Sequence, residues 1–228
     1  MTPARSETTA RRKSRQTVQS SGCLSGFLLP PLVALCFGVL LAFLTIRGPE
    51  SESHASAAPF TANQGIAPLF TAEVQFWAAR IAVWAAENGL DPNLVATVMQ
   101  IESCGNPSAR SVAGAAGLFQ VMPYHFQAYE DTYDPNTNAL RGLDYLRRSL
   151  ERANGDPRLA LAGYNGGIGV IGRAETSWAA ETRRYAYWGS GIYADAQQNA
   201  AESSRLNEWL TAGGASLCKQ ARQRLGLP

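Results

Sequence analysis

Apolar positions recur at helical spacing over most of the second half of the chain. Val74, Trp77, Ala78, Ile81, Trp84 and Ala85 fall three and four apart, and Gly89 follows as a stop. Three Asp-Pro pairs come next: Asp91-Pro92, Asp134-Pro135 and Asp156-Pro157. Aspartate is a favourable N-cap, and proline in the first turn gives up no needed hydrogen bond. Each pair therefore predicts a helix start. The first helix runs from Pro92 to about Ser103, with Leu94, Val95, Val98 and Ile101 inward. The second runs from Pro135 to about Ala153, with Leu140, Leu143, Leu146 and Leu150 inward. The third runs from Pro157 to about Asn165 and stops at Gly166-Gly167. Further helical stretches cover about 178–188, 203–211 and 216–225. Strand alternation is absent, and 104–133 and 165–177 read as irregular loops. The expected fold class is mainly α.

The N-terminal third reads differently. No charge occurs from Gln16 to Ile46, and Leu24–Ile46 is strongly apolar. Such a helix is long enough to span a hydrocarbon core of roughly 30 Å. Bases precede it, which orients an anchor with its N-terminus inside. Pro30-Pro31 and the small-residue stretch Ala55-Ser56-Ala57 keep a cleavable signal peptide open as the other reading. Both place the main domain outside the cytoplasm. The expected organisation is a basic cytoplasmic tail (1–22), a transmembrane signal anchor or signal peptide (23–46), a Ser/Ala/Pro/Gly-rich linker (47–70), a helical domain (71–190) and a C-terminal helical extension (191–228).

Charge narrows the partners. The chain has 228 residues, 20 Lys+Arg and 18 Asp+Glu. Five of those bases and only one acid lie in residues 1–22, so the rest is slightly acidic. That is not the footprint of a nucleic-acid binder. Gly and Pro usage excludes collagen-like and wholly disordered classes, and no fixed repeat supports a solenoid. Neither His54 nor His125 has metal-like partner spacing, so no metal site and no cofactor are expected. Cys104 and Cys218 lie in the part placed outside the cytoplasm, where a bridge is possible. Two unpaired small hydrophobes is the other reading.

Glu102 stands in the last turn of the first Asp-Pro helix. The negative end of the helix and apolar neighbours both disfavour an ionised carboxylate there, which suits a general acid. The run Ala113–Gly117 is small enough for close backbone approach. Gln120 sits among Leu118, Phe119, Val121 and Met122, and a buried amide needs partners. A self-satisfied turn, an Asn-Gly helix stop at 165–166 and a surface charge pair at Glu181-Thr182-Arg183-Arg184-Tyr185 are the structural readings of these segments.

Four blocks in order change the weighing: IESCGNPSARSVAGAAGLFQVMP (101–123), DP..N...G..YLRR (from Asp134), GYNGG (163–167) and ETRRY (181–185). Over about residues 75–190 the chain resembles the soluble-lytic-transglycosylase type of catalytic domain, which is related to goose-type lysozyme. The resemblance implies a lysozyme-like helical domain with a saccharide-binding groove, and peptidoglycan glycan strands as partner. It implies that Glu102 is the catalytic acid/base. It implies that Ser111, Gln120, Met122, Tyr164 and Asn165 line the groove, and that Tyr185, near the carboxyl, also binds substrate and helps hold the intermediate. The implied reaction is lytic cleavage of the MurNAc–GlcNAc β-1,4 bond with a 1,6-anhydro product. The matched blocks offer no second carboxylate near Glu102, because Asp91, Asp134 and Asp156 are spent as caps. One acid fits substrate assistance. A muramidase, a non-catalytic peptidoglycan binder, or a structural protein using the 191–228 tail are the alternatives; Leu206, Trp209 and Leu210 fit core packing better than a partner face. Three departures stand out: Phe119 where Met is frequent, Cys104 two residues after Glu102, and Tyr124-His125-Phe126 in place of a Thr-rich continuation. Protein partners are not legible.

Overall fold

The computed structural model describes residues 65–228; the tail, the apolar segment and most of the linker lie outside them. Eight α-helices account for most of this part: α1 (Ala72–Gln75), α2 (Ala78–Asn88), α3 (Pro92–Ser103), α4 (Pro135–Arg152), α5 (Pro157–Gly166), α6 (Ala180–Gln197), α7 (Ser204–Trp209) and α8 (Ala215–Leu225). Among the described residues none of them is long and apolar enough to cross a membrane.

The three Asp-Pro pairs cap as their chemistry requires. Asp91 accepts from the Asn93 N–H, Asp134 from Thr137, and Asp156 from Arg158 and Leu159. The rigid starts fix where α3, α4 and α5 begin, and their apolar faces then meet one another. Helix α3 is buried on every side from Leu94 to Ile101. A helix buried all round, here with Thr97 and Gln100 as its polar members, belongs at the centre of a domain. Helices α2, α6 and α8 pack around it, and α4, α5 and α6 form a sequential stack beside it.

Some expectations require correction. Ile66, Ala67, Leu69 and Phe70 are buried in the core, so the stretch read as linker already belongs to the domain by Ile66. Leu140 is 54% exposed. The buried stripe of α4 runs through Asn138, Ala139, Gly142, Leu143, Leu146 and Ser149, one position out of phase with it. Helix α6 continues to Gln197 and crosses the boundary placed at residue 190. Gly189 does not break it. A Cβ there would stand 3.0 Å from Leu161, so the glycine permits close packing on α5. Helix α7 ends at Trp209 in a wide turn over Leu210–Gly214, where Gly213 at φ 132° redirects the chain into α8.

Residues 191–228 share the main core instead of forming a free extension. Ile192, Ala196, Leu206, Trp209, Cys218 and Ala221 are all buried in it, and Leu210 packs against it. Leu206, Trp209 and Leu210 are therefore interior contacts and not a partner face. A disulfide joins Cys104, at the end of α3, to Cys218 in α8. Beside it the buried Glu73 carboxylate accepts from the Arg222 guanidinium at 2.7 Å, a second tie on α8, this one to α1.

Candidate active site

Helix α3 delivers Glu102 to the wall of a cleft of about 460 Å³. The helix stops one residue later, at Ser103, because Cys104 takes the left-handed conformation (φ 51°). Ser103 points the other way from the cleft chemistry and does a structural job: its hydroxyl donates to the Leu118 carbonyl at 2.7 Å. That bond fastens the loop after α3 to the helix that carries Glu102.

Two more polar side chains hold the same loop. Asn138, fully buried on α4, accepts from the Phe119 N–H at 2.9 Å and donates to the carbonyls of Ala116 (2.8 Å) and Thr132 (3.0 Å). The Tyr164 hydroxyl of α5 donates to the Phe119 carbonyl at 2.8 Å. Together they satisfy loop backbone groups that burial would otherwise leave unpaired. Gly117, at φ 75°, is required on two counts: its backbone is left-handed, and a Cβ would stand 2.4 Å from the Asn138 amide. Two isolated bridges, Arg110 with Ala116 and Ala116 with Val121, complete the turn.

Ser111, Gln120, Met122, Tyr164 and Asn165 all line the cleft with Glu102. The details differ among them. Gln120 adopts a left-handed backbone (φ 45°), and its amide donates to the carbonyls of Ala109 and Gly117. Its NH2 group is thus committed to the turn, and its carbonyl oxygen is the part offered to the cleft. The Ser111 hydroxyl accepts from the Ala115 N–H at 2.9 Å. Asn165 accepts from the Thr182 hydroxyl at 2.9 Å, which orients its amide across α5 and α6. Tyr185 is not part of the lining. It is buried on α6, and its hydroxyl lies beside the Glu102 carboxyl without meeting any partner at full hydrogen-bond geometry.

The electrostatics follow from these positions. Burial pushes the Glu102 carboxyl up to about 8; the neighbouring Tyr185 hydroxyl lowers it in part, and the charge of Glu181 raises it again. Glu102 therefore carries its proton near neutral pH. Burial, with the Glu102 charge added, raises the hydroxyls of Tyr164 and Tyr185 well above the usual tyrosine range, so both remain neutral donors.

Glu181 corrects the carboxylate count made from the sequence. It is exposed at the start of α6 and lines the same cleft. The helix brings the residue back beside Glu102 although 79 positions separate the two in the chain. Sequence reasoning gave no role to Asn138 or Tyr145, although both stand in the second quoted block, nor to Tyr124 and His125. The signal for Asn138 was present: an amide four residues before Gly142 on the inward stripe of α4. The last three form a row of rings in the cleft wall, and no spacing rule connects them.

A carboxyl that keeps its proton in an open, partly polar cleft is an arrangement able to serve acid catalysis. Comparison with known proteins makes the class specific. Residues 80–186 match the family "Transglycosylase SLT domain". The chain is 40% identical over 111 residues to the "Transglycosylase" of Enterobacteria phage PRD1, covering 48% of this chain and 40% of that protein. It is 31% identical over 83 residues to the "Membrane-bound lytic murein transglycosylase E" of Buchnera aphidicola, covering 31% of this chain and 38% of that protein. The chain thus spans about two fifths of the length of these curated relatives. Among solved structures it is similar to the lytic transglycosylase Slt of Pseudomonas aeruginosa, crystallised as an inactive mutant, at 25% identity and TM-score 0.45, covering 57% of this chain and 25% of that one.

Proposed function

We propose that the protein is a peptidoglycan lytic transglycosylase that cleaves the MurNAc–GlcNAc β-1,4 bond, with Glu102 as acid and then base. The observation that carries this reading is a carboxyl held protonated near neutrality in the cleft of a domain of this family. In the first step Glu102 gives its proton to the glycosidic oxygen. The C1–O bond breaks, the GlcNAc side leaves as an alcohol, and the MurNAc 2-acetamido oxygen closes on C1. In the second step the Glu102 carboxylate takes the proton from O6 of the same sugar. O6 attacks C1 and displaces the acetamido oxygen, leaving a 1,6-anhydro end. The proton is back on Glu102, and no water is consumed. Ser111, Gln120, Met122, Tyr164 and Asn165 hold the sugars, and neutral Tyr185 steadies the Glu102 carboxyl.

The presence of Glu181 in the cleft favours one second reading, hydrolysis of the same bond by a water that Glu181 activates. Digestion of purified peptidoglycan separates the two. Sugar ends lighter by one water than reducing MurNAc support lytic chemistry; reducing ends support hydrolysis. Glu102→Gln is expected to abolish both products while retaining glycan binding. Cleavage by that variant would remove Glu102 from its role. Residues 23–46 are read as a membrane anchor that holds the domain outside the cytoplasm, a reading that fractionation of cells expressing the full chain tests.

A further inference from the structure

Away from the cleft, Glu73, Cys104 and Cys218 bring one carboxylate and two sulfurs together where α1, the end of α3 and α8 meet. All three side chains are buried, and their ligating atoms lie within 4.8 Å of one another. Two thiolates and a carboxylate suit a zinc-like cation. In the bridged form the sulfurs are bonded to each other and offer no thiolate.

Two buried groups beside the bridge are poorly served by it. Gln100 is fully buried, and its side-chain oxygen accepts from the Thr71 N–H, which turns the NH2 group to the sulfurs. That group lies 3.1 Å from the Cys104 sulfur and 3.6 Å from the Cys218 sulfur, and meets no oxygen acceptor among the described residues. A neutral sulfur accepts weakly, and an ionised acceptor strengthens a hydrogen bond. Glu73 is the second group. One of its oxygens accepts from Arg222, and the other faces the Cys104 sulfur at 4.0 Å. A bridged sulfur has no proton to give it. With thiolates around a cation, the Gln100 amide would donate to a charged acceptor and the free Glu73 oxygen would bind the ion. Charge also closes, because two thiolates and one carboxylate balance a divalent ion and Arg222. Buried charges need such pairing. An open cavity of about 420 Å³, lined by Glu73, Cys218, Lys219 and Arg222 among others, gives an entry path and room for a water as fourth ligand.

We propose that the reduced chain binds one zinc-like divalent cation through the Cys104 and Cys218 thiolates and the free oxygen of Glu73. The ion and the disulfide are alternative occupants of one place, and each ties α8 to the end of α3. Binding releases the two thiol protons. Closing the bridge expels the ion: a small-molecule disulfide takes one electron from each sulfur and leaves as two thiolates. The ligands come from three helices, so spacing along the chain gave no sign of them.

The experiment uses the full-length chain carrying Cys23→Ser and Cys36→Ser, so that no other thiol competes. A trialkylphosphine with water reduces the bridge; phosphorus takes up oxygen as each sulfur gains an electron and a proton. Cobalt(II) chloride titrated into the reduced chain should give a thiolate-to-cobalt absorption that saturates at one equivalent, and zinc chloride should bleach it. Zinc should raise the melting temperature of the reduced chain and leave that of the bridged chain unchanged. These two tests need no change at the site itself. Glu73→Gln, which keeps an acceptor for Arg222, should weaken zinc binding by about tenfold or more. A reduced chain that shows no thiolate absorption, folded or not, overturns the site. So does an affinity that Glu73→Gln leaves unchanged, or an equal effect of zinc on the bridged chain.

Discussion

Glu102 works against its own ionisation, and this has consequences for both rate and stability. Its folded-state value of about 8 lies above the ordinary 4.5. Between those values the folded chain binds more protons than the unfolded one, so stability falls as pH rises through that window. Glu102→Gln removes the conflict. The variant should melt higher than the parent at pH 9, by about 2–4 °C for each kcal/mol recovered, and match it near pH 4. The rate should show the same group. If Glu102 must donate a proton, kcat/KM declines above about pH 8. Glu181→Gln withdraws a charge that keeps the proton on Glu102. The alkaline limb should then move to lower pH, by less than about one unit because Glu181 is exposed and screened. A limb that stays in place in that variant shows that the two carboxyls do not sense each other. At this scale the sequence was informative about Glu102, since helix position and neighbours already argued for a raised carboxyl. It placed Glu181 in the ETRRY block without a role in the cleft, because its approach depends on how α6 lies against α3.

At the scale of elements, the loop between α3 and α4 depends on three side chains from three helices: Ser103, Asn138 and Tyr164. Asn138 makes the most contacts. Asn138→Ala leaves the Phe119 N–H and two carbonyls without their partner. Unpaired buried groups cost about 1–3 kcal/mol each before relaxation and water recover part of it. A loss of about 2–4 kcal/mol is expected, read as a lower denaturation midpoint with an unchanged slope. A loss under about 0.5 kcal/mol would mean that water replaces the amide without penalty. Helix starts were legible because Asp and Pro act locally, within the first turn. Helix ends were less so. The extra length of α6 depends on Gly189 fitting against Leu161, a contact between helices that no local rule contains. Leu140 was misread for a similar reason: it looks inward by composition but stands exposed beside a stripe that buries Leu143 and Leu146 as expected.

At the scale of the molecule, α8 is held to α3 by the disulfide and to α1 by the Glu73–Arg222 pair. Closing a loop of about 100 residues is worth about 2–5 kcal/mol through restriction of the unfolded chain. A Cys104→Ser, Cys218→Ser double variant should therefore melt about 5–15 °C lower than the parent. An unchanged midpoint would show that core packing of Leu206, Trp209 and Ala221 secures the C-terminal helices by itself. The pairing of these two cysteines was undecidable from spacing, because it needs α8 folded back over the end of α3.

The bridge also encloses almost the whole site. Ser111, Gln120, Met122, Tyr164, Asn165 and Glu181 all lie between the two cysteines in the chain, and Glu102 lies just outside. A protease that clips the chain anywhere from 105 to 217 therefore releases nothing. Both pieces stay fastened to each other, run as one species on a non-reducing gel, and separate only when a thiol is added. Cut protein remains one molecule until a reductant opens the bridge.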